Sequence, residues 1–570
     1  MSPQRRRVIL AVLLFTVAAL LRLPLLSGQG LWADEFFSLA IATGHSLEHP
    51  AADADPTLGD FVERRGAMPA GAWGRYLAQE TPPAGVRRIT RAVLMSDTSP
   101  PIYYVMLGYW TRGLGSSDAA LRLFSILWAL ASVPLLWLLA RRLGGTGAAV
   151  PAVTLYAFAP TSLYYSGEGR MYSLLWFLAL GFAWLTLRLH DRGVAPTRIA
   201  LWTVCGGAGF LTHYFFAFVW AGCLVWLLVH PGRAHRVWVI GAVGATVLLA
   251  LPWYVRVPES LGRWRVTGDW LEGRITVREG VTNSLKLGWS LLSGRGVWGG
   301  SKSANRIAQA LFLFLALAAL FKGWRRLFRP GPRLVWLWLA AASLGPVLFD
   351  LLRESSTSSL SRYALGGLPA AVLLAALALS RLGPGARAGL VALILLAWTP
   401  GVWVVLTKAS RYREAYRDAA RAAGRWVGPS DLVIIHSIPS GVLGVARYLP
   451  PDVPVAAWVG QLGQRRAPDD VTDLVAGRRR VVLVRIHDVG APAPEQDWLR
   501  EHARLVGEAT GEGSTVLYFE PASGVAFEPA LSARRAPVIP PLPRALPSST
   551  TRERGYAAAR PSVVRPPRPP

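Results

Sequence analysis

The chain of 570 residues is 52% hydrophobic and only 17% charged. Apolar runs of about 17–22 residues, the length of a bilayer helix, recur along most of it, which excludes an ordinary soluble enzyme. The net charge of +27 does not indicate a nucleic-acid partner, because the arginines cluster in short loops between apolar runs, the positive-inside pattern. Cys205 and Cys223 both lie in apolar runs and form neither a disulfide framework nor a CxxC metal signature.

Arg5, Arg6 and Arg7 precede the first apolar run, 8–26. The run is long for the core of a signal peptide and lacks an A-x-A site, so it reads as an uncleaved first helix with a cytoplasmic N-terminus. A polar loop, 27–99, follows, with Asp34 and Glu35 side by side just beyond the first span. The stretch 100–110 is apolar and aromatic but too short to span comfortably, and its Tyr and Trp content suits an interfacial helix that Ser99-Pro100-Pro101 stiffens at its start.

Further spans are expected at 121–140, 148–165, 171–189, 199–211, 214–229 and 237–255. A second long loop, 256–305, precedes spans at 307–321, 334–352, 364–380 and 388–406. The total is about eleven, and every short basic loop falls on one side. From 410 the composition changes. Short apolar strands at 431–437, 453–459 and 480–486 alternate with helices at 441–448, 470–476 and 495–505, a small α/β domain over 410–521 that is extracytoplasmic if the span count is odd. The tail, 522–570, is rich in Pro, Arg and Ser and is expected to be disordered. The organisation is thus a polytopic α-helical membrane domain, 1–409, a small α/β domain and a tail.

On this topology one membrane face collects Asp34, Glu35, Tyr103, Glu168, Arg170, Tyr172, His213, Tyr214, Arg362 and Tyr363, all near span ends. The Asp34-Glu35 pair suits a helix N-terminus. It equally suits a general base with a supporting acid, since neighbours on a helix point about 100° apart and do not share one proton. Arg170 and Arg362 sit where positive charge should be scarce, and a guanidinium there matches a lipid phosphate. Glu168 and Arg170, two apart in a turn, are placed to pair with each other. His213 among aromatics is ordinarily a hydrogen-bonded structural residue, and the tyrosine pairs are ordinarily interface anchors. No P-loop, HExxH or GxSxG element occurs, so an activated group would have to come from the membrane rather than from a nucleotide.

The ordered set Trp32-Ala33-Asp34-Glu35, Pro100-Pro101-x-Tyr103-Tyr104, Leu121-Arg122, Arg141-Arg142-Leu143-Gly144, Ala159-Pro160, Tyr165-Ser166, Arg170-x-Tyr172 and Arg362-Tyr363 resembles the GT-C superfamily of integral-membrane glycosyltransferases. The match is to the branch of protein O-mannosyltransferases and of the aminoarabinose and Rgt-type transferases, and it extends over roughly 8–406. The resemblance implies a sugar donor, mannose or pentose-like, carried on a polyprenyl phosphate, and a protein, lipid or glycan acceptor. It implies Asp34 as catalytic base with Glu35 beside it, and Arg362, with Arg170 and Tyr363, on the donor phosphate. Tyr103, Glu168, Tyr172 and His213 would line the substrate site. Metal dependence varies across the superfamily and this branch is not built around one metal site, so no cofactor is assigned and a divalent metal is compatible. Relatives often carry His before the Pro pair, where this chain has Thr98-Ser99. The competing reading is a transporter or lipid flippase of the cell envelope. Such proteins carry ionisable residues or broken helices near the membrane midplane, whereas here charges sit at span ends and the long loops fall on one side.

Overall fold

A computed structural model describes residues 2–97, 99–268, 271–293, 310, 325, 327–408, 415–511, 513–522 and 526–527. The expected span 307–321 and nearly all of the 522–570 tail lie outside the described residues. Among the described residues seven helices are long and apolar enough to cross a membrane: Val8–Leu26, Asp118–Gly144, Tyr172–Arg192, Arg236–Leu261, Pro330–Arg353, Ser361–Leu379 and Pro384–Thr407. The chain is a multi-pass, mainly helical membrane protein.

The expected span 148–165 is not one helix. Thr146–Phe158 ends at Ala159, whose backbone turns extended (ψ 124°), and a new helix, Pro160–Ser166, begins. Proline disfavours the α conformation of the residue before it, so the break falls at Ala159-Pro160. The interfacial stretch forms Ile102–Leu114. Phe216–Val229 packs on Pro330–Arg353 so closely that a Cβ on Gly222 would stand 2.8 Å from the Leu337 carbonyl oxygen, a small-residue contact of the kind that joins membrane helices.

Six strands form one sheet in the order β1-β3-β2-β4-β6-β5. They are β1 (Met68–Pro69), β2 (Leu432–His436), β3 (Pro454–Trp458), β4 (Val481–Ile486), β5 (Ala503–Gly511) and β6 (Ser514–Pro521). β3, β2 and β4 run parallel, and both their faces are covered, which is why they read as unbroken apolar runs. The helix expected at 495–505 ends at His502, and Ala503 opens β5, which pairs with β6 at the sheet edge. Half exposed without alternation and poor in β-branched side chains, β5 carries almost no strand signal of its own.

β1 comes from the loop 27–99 and adds to β3 antiparallel, so the sheet is not confined to 410–521. The Ala70 amide donates to the Val453 carbonyl (2.8 Å) and the Val459 amide to Glu63 Oε1 (2.6 Å). Phe61, Trp73 and Tyr76 pack together within this loop, with ring centroids 5.4–6.5 Å apart.

The two long loops meet at Glu48. This side chain is fully buried, and its Oε2 accepts from the Thr267 amide (2.8 Å) and hydroxyl (3.1 Å). Burial pushes its carboxyl up to about 7 against those two bonds. With the folded pKa above the ordinary carboxylate value, the folded state holds the proton longer than the unfolded chain, so Glu48 costs stability as pH rises from about 4.5 to about 7. Glu48→Gln keeps an acceptor for Thr267 and removes the charge. We expect the thermal midpoint of the purified variant to fall less steeply between pH 5 and 8 than that of wild type and to exceed it at pH 8. Identical slopes would show that Glu48 does not titrate in this window.

Candidate active site

Helix Ala33–Ala42 begins immediately after the first span and carries Asp34 and Glu35 in its first turn. Their side chains diverge, as adjacent helical positions must. Glu35 is completely buried. Its Oε1 accepts from Arg122 Nε (2.9 Å) and the Gly169 amide (2.9 Å). Its Oε2 accepts from Arg122 Nη2 (2.7 Å) and, reaching back over the helix start, from the Trp32 amide (3.3 Å). Arg122 also donates to the carbonyls of Gln29 (2.9 Å) and Gly30 (2.8 Å). Glu35 is therefore turned into the protein as the anchor of the helix start, and its oxygens are engaged on all sides.

Asp34 points the other way and stays partly exposed. Its Oδ2 lies 3.2 Å from Arg362 Nη1 and 4.0 Å from Arg170 Nε. Arg170 is nearly buried. Its Nη1 donates to Asp97 Oδ2 (3.0 Å) and to the Tyr104 hydroxyl (2.9 Å), and Tyr104 in turn donates to Asp97 Oδ2 (2.6 Å). The Ser99 amide and hydroxyl donate to Asp97 Oδ1, each at 3.0 Å. Burial works against the Asp97 charge, but Arg170 and these donors outweigh it and hold the carboxyl down to about 2. Two aspartates thus alternate with two arginines in a chain Asp97–Arg170–Asp34–Arg362, and its formal charges cancel.

Aromatic rings wall this chain. Arg362 lies over the Tyr363 ring (5.5 Å), Tyr363 packs on Phe215 (5.2 Å), and Tyr172 packs on Tyr165 (5.1 Å) and His213 (6.1 Å). His213 accepts from the Phe215 amide through Nδ1 (3.1 Å). Burial, reinforced by Arg170, pushes its imidazole down to about 4, which favours the neutral ring near pH 7.

Of the residues singled out in the sequence, Asp34, Arg170, Arg362, Tyr363, Tyr172 and His213 come together here. Tyr103 stands behind the cluster, with its ring edge to face against Tyr104 (5.7 Å). It is fully buried, with its hydroxyl 3.0 Å from Ser125 Oγ and its ring against Phe124. Glu168 is also buried, and its backbone carbonyl accepts from the Arg170 amide (2.7 Å). The ion pairs of Arg170 run to Asp97 and Asp34. Sequence reasoning missed Asp97 and Tyr104 as members of the site. The signal was an acid three residues before Pro100-Pro101, hidden in an acidic loop. Among the described residues no cluster of three or more His, Cys, Asp or Glu side chains is placed to hold a metal ion.

The mainly helical membrane fold carrying a small sheet is the fold class that the sequence resemblance implied. A family model described as dolichyl-phosphate-mannose-protein mannosyltransferase matches residues 98–255, a stretch that includes Arg122, Glu168, Arg170, Tyr172 and His213. Among solved structures the chain is similar to ArnT from Cupriavidus metallidurans in the apo state, at 14% identity and a TM-score of 0.55, over 91% of this chain and 98% of that one. It is similar to the same protein bound to undecaprenyl phosphate at 15% identity and a TM-score of 0.54, over 89% and 97%. No curated protein matches the sequence.

Removing one partner of a buried ion pair strands the other, at a cost of about 3–5 kcal/mol. Glu35→Ala is therefore expected to lower the thermal midpoint of the detergent-solubilised protein far more than Asp34→Ala, whose side chain is a quarter exposed. Equal midpoints for the two variants would contradict the anchoring role of Glu35.

Proposed function

We propose that this protein is a glycosyltransferase that moves a sugar from a polyprenyl-phosphate donor to an acceptor hydroxyl or amine on the extracytoplasmic face of the cell membrane, with Asp34 as general base. The observation that carries the reading is the contact of Asp34 with two arginines at the ends of apolar helices. In this reading a base and a phosphate-binding cation stand side by side near the ends of apolar helices. The match to a mannosyltransferase family and the likeness in fold to ArnT, which has been seen with undecaprenyl phosphate, support the donor class. Mannose or a pentose is the sugar we favour.

In this mechanism the acceptor oxygen or nitrogen attacks the anomeric carbon as the bond from that carbon to the phosphate oxygen breaks. The acceptor proton passes to the Asp34 carboxylate. The polyprenyl phosphate leaves with the bonding pair, and its growing charge is met by Arg362 in a fork suited to phosphate, with Arg170 behind. A single displacement of this kind inverts the anomeric centre. Asp97 keeps Arg170 oriented, and Glu35 keeps Asp34 at the start of its helix. When phosphate takes Arg362, Asp34 loses a competing cation, so arrival of the donor makes the carboxylate more available to the acceptor proton.

The test is turnover of radiolabelled polyprenyl-phosphate sugars in membranes. Asp34→Asn should lower turnover by about a hundredfold or more while expression and donor binding persist. Arg362→Ala should chiefly weaken donor binding, and Arg362→Lys should restore it only in part, because an ammonium lacks the planar fork. Equal turnover by wild type and Asp34→Asn would refute the base assignment.

A further inference from the structure

The segment just before Asp34 is held from two sides. Arg122, on the membrane helix Asp118–Gly144, takes the carbonyls of Gln29 and Gly30. From the other side the Leu31 amide donates to the Tyr448 hydroxyl (2.7 Å). Tyr448 ends the helix Pro439–Tyr448 of the α/β domain, more than four hundred residues away in sequence. Leu31 is three residues before Asp34.

Tyr448 is itself fixed by one carboxylate. Its hydroxyl donates to Asp118 Oδ2 (2.6 Å), and Asp118 also accepts from Arg417 Nη2 (2.8 Å) and Arg447 Nε (3.0 Å). Arg447 Nη2 reaches the Ser116 carbonyl (2.7 Å), and Arg417 lies over the Tyr448 ring (4.9 Å). The fit against the loop is tight, since a Cβ on Gly30 would stand 2.8 Å from Arg417 Cβ. Asp118 and Arg122 are one helical turn apart on the same membrane helix, so one rigid element holds both grips on residues 29–31. Tyr416, from the helix that follows residue 415, meets Phe36 of the Asp34 helix edge to face (5.7 Å).

We infer that the α/β domain is a working part of the reaction centre: through Tyr448, which Asp118 of the membrane helix fixes together with Arg417 and Arg447, it holds the Leu31 backbone and so sets where the Asp34 carboxylate stands. Tyr448 and Asp118 are positioning residues, not catalytic ones. The inference rests on the reading of Asp34 as the base and adds the domain that aims it. Misplacing a reacting group by about 1 Å costs on the order of a hundredfold in rate, so a single hydroxyl that holds the preceding backbone matters to turnover out of proportion to its small share of stability.

The experiment uses the full-length protein and four forms: wild type, Tyr448→Phe, Glu63→Gln and Asp34→Asn. Tyr448→Phe deletes the hydroxyl and keeps the ring under Arg417. Glu63→Gln perturbs a different contact between the loop 27–99 and the same domain, the one to the Val459 amide. We expect Tyr448→Phe to lower kcat by about tenfold or more with the donor KM and the thermal midpoint near wild type, and Glu63→Gln to leave kcat unchanged. Wild-type kcat for Tyr448→Phe beside an inactive Asp34→Asn would overturn the positioning inference and leave the base assignment standing. Turnover retained by Asp34→Asn would instead overturn the reading on which it rests. Equal losses of kcat in Tyr448→Phe and Glu63→Gln would show that the domain acts only through overall docking, which also overturns the inference.

Discussion

A buried carboxylate with no oxygen left to water governs this molecule. Glu35 would be very costly to bury alone, and Arg122 together with the Gly169 and Trp32 amides meets the charge completely. That arrangement fixes the carboxylate in place. It ties the start of helix Ala33–Ala42 to the membrane helix bearing Arg122 and to the turn bearing Gly169. Once Glu35 points inward, the helical step between neighbours turns Asp34 about 100° away from it, toward Arg362 and Arg170. The position of the proposed base is thus a consequence of where its neighbour is anchored.

The cluster around Asp34 is balanced rather than strongly charged. Each arginine of the cluster faces an aspartate, so both Arg170 and Arg362 already have a counter-charge. On the proposed function, an anionic donor would exchange one carboxylate partner for a phosphate. That exchange would limit the desolvation that binding must overcome and would couple donor arrival to release of Asp34. The tyrosines around it supply flat, partly polar walls, and burial of His213 favours its neutral ring near pH 7.

Much of this was legible in the residues. Apolar length and arginine-rich short loops reveal a multi-pass membrane protein. The Asp34-Glu35 pair and the arginines at span ends are visible because charge next to a bilayer needs a partner. The parallel strands β2, β3 and β4 are visible because both their faces are buried. What the sequence hid has physical causes too. β5 is half exposed and has no alternation. β1 is two residues long and is a strand only because β3 lies beside it. Asp97 is one acid among several in a polar loop, and nothing local says that Arg170, more than seventy positions on, will claim it. Glu35 and Asp34 look equivalent as neighbours, and the distant Arg122 and Gly169 are what separate the anchor from the proposed base.

The account turns on Arg362 leaving Asp34 for a lipid phosphate. The most direct measurement is a structure of the wild-type protein with a polyprenyl phosphate bound. The account predicts phosphate oxygens within hydrogen-bonding distance of the Arg362 guanidinium, the Arg362–Asp34 contact broken, and Glu35 still paired with Arg122. A phosphate bound away from both Arg362 and Arg170, with Arg362 still on Asp34, would contradict it.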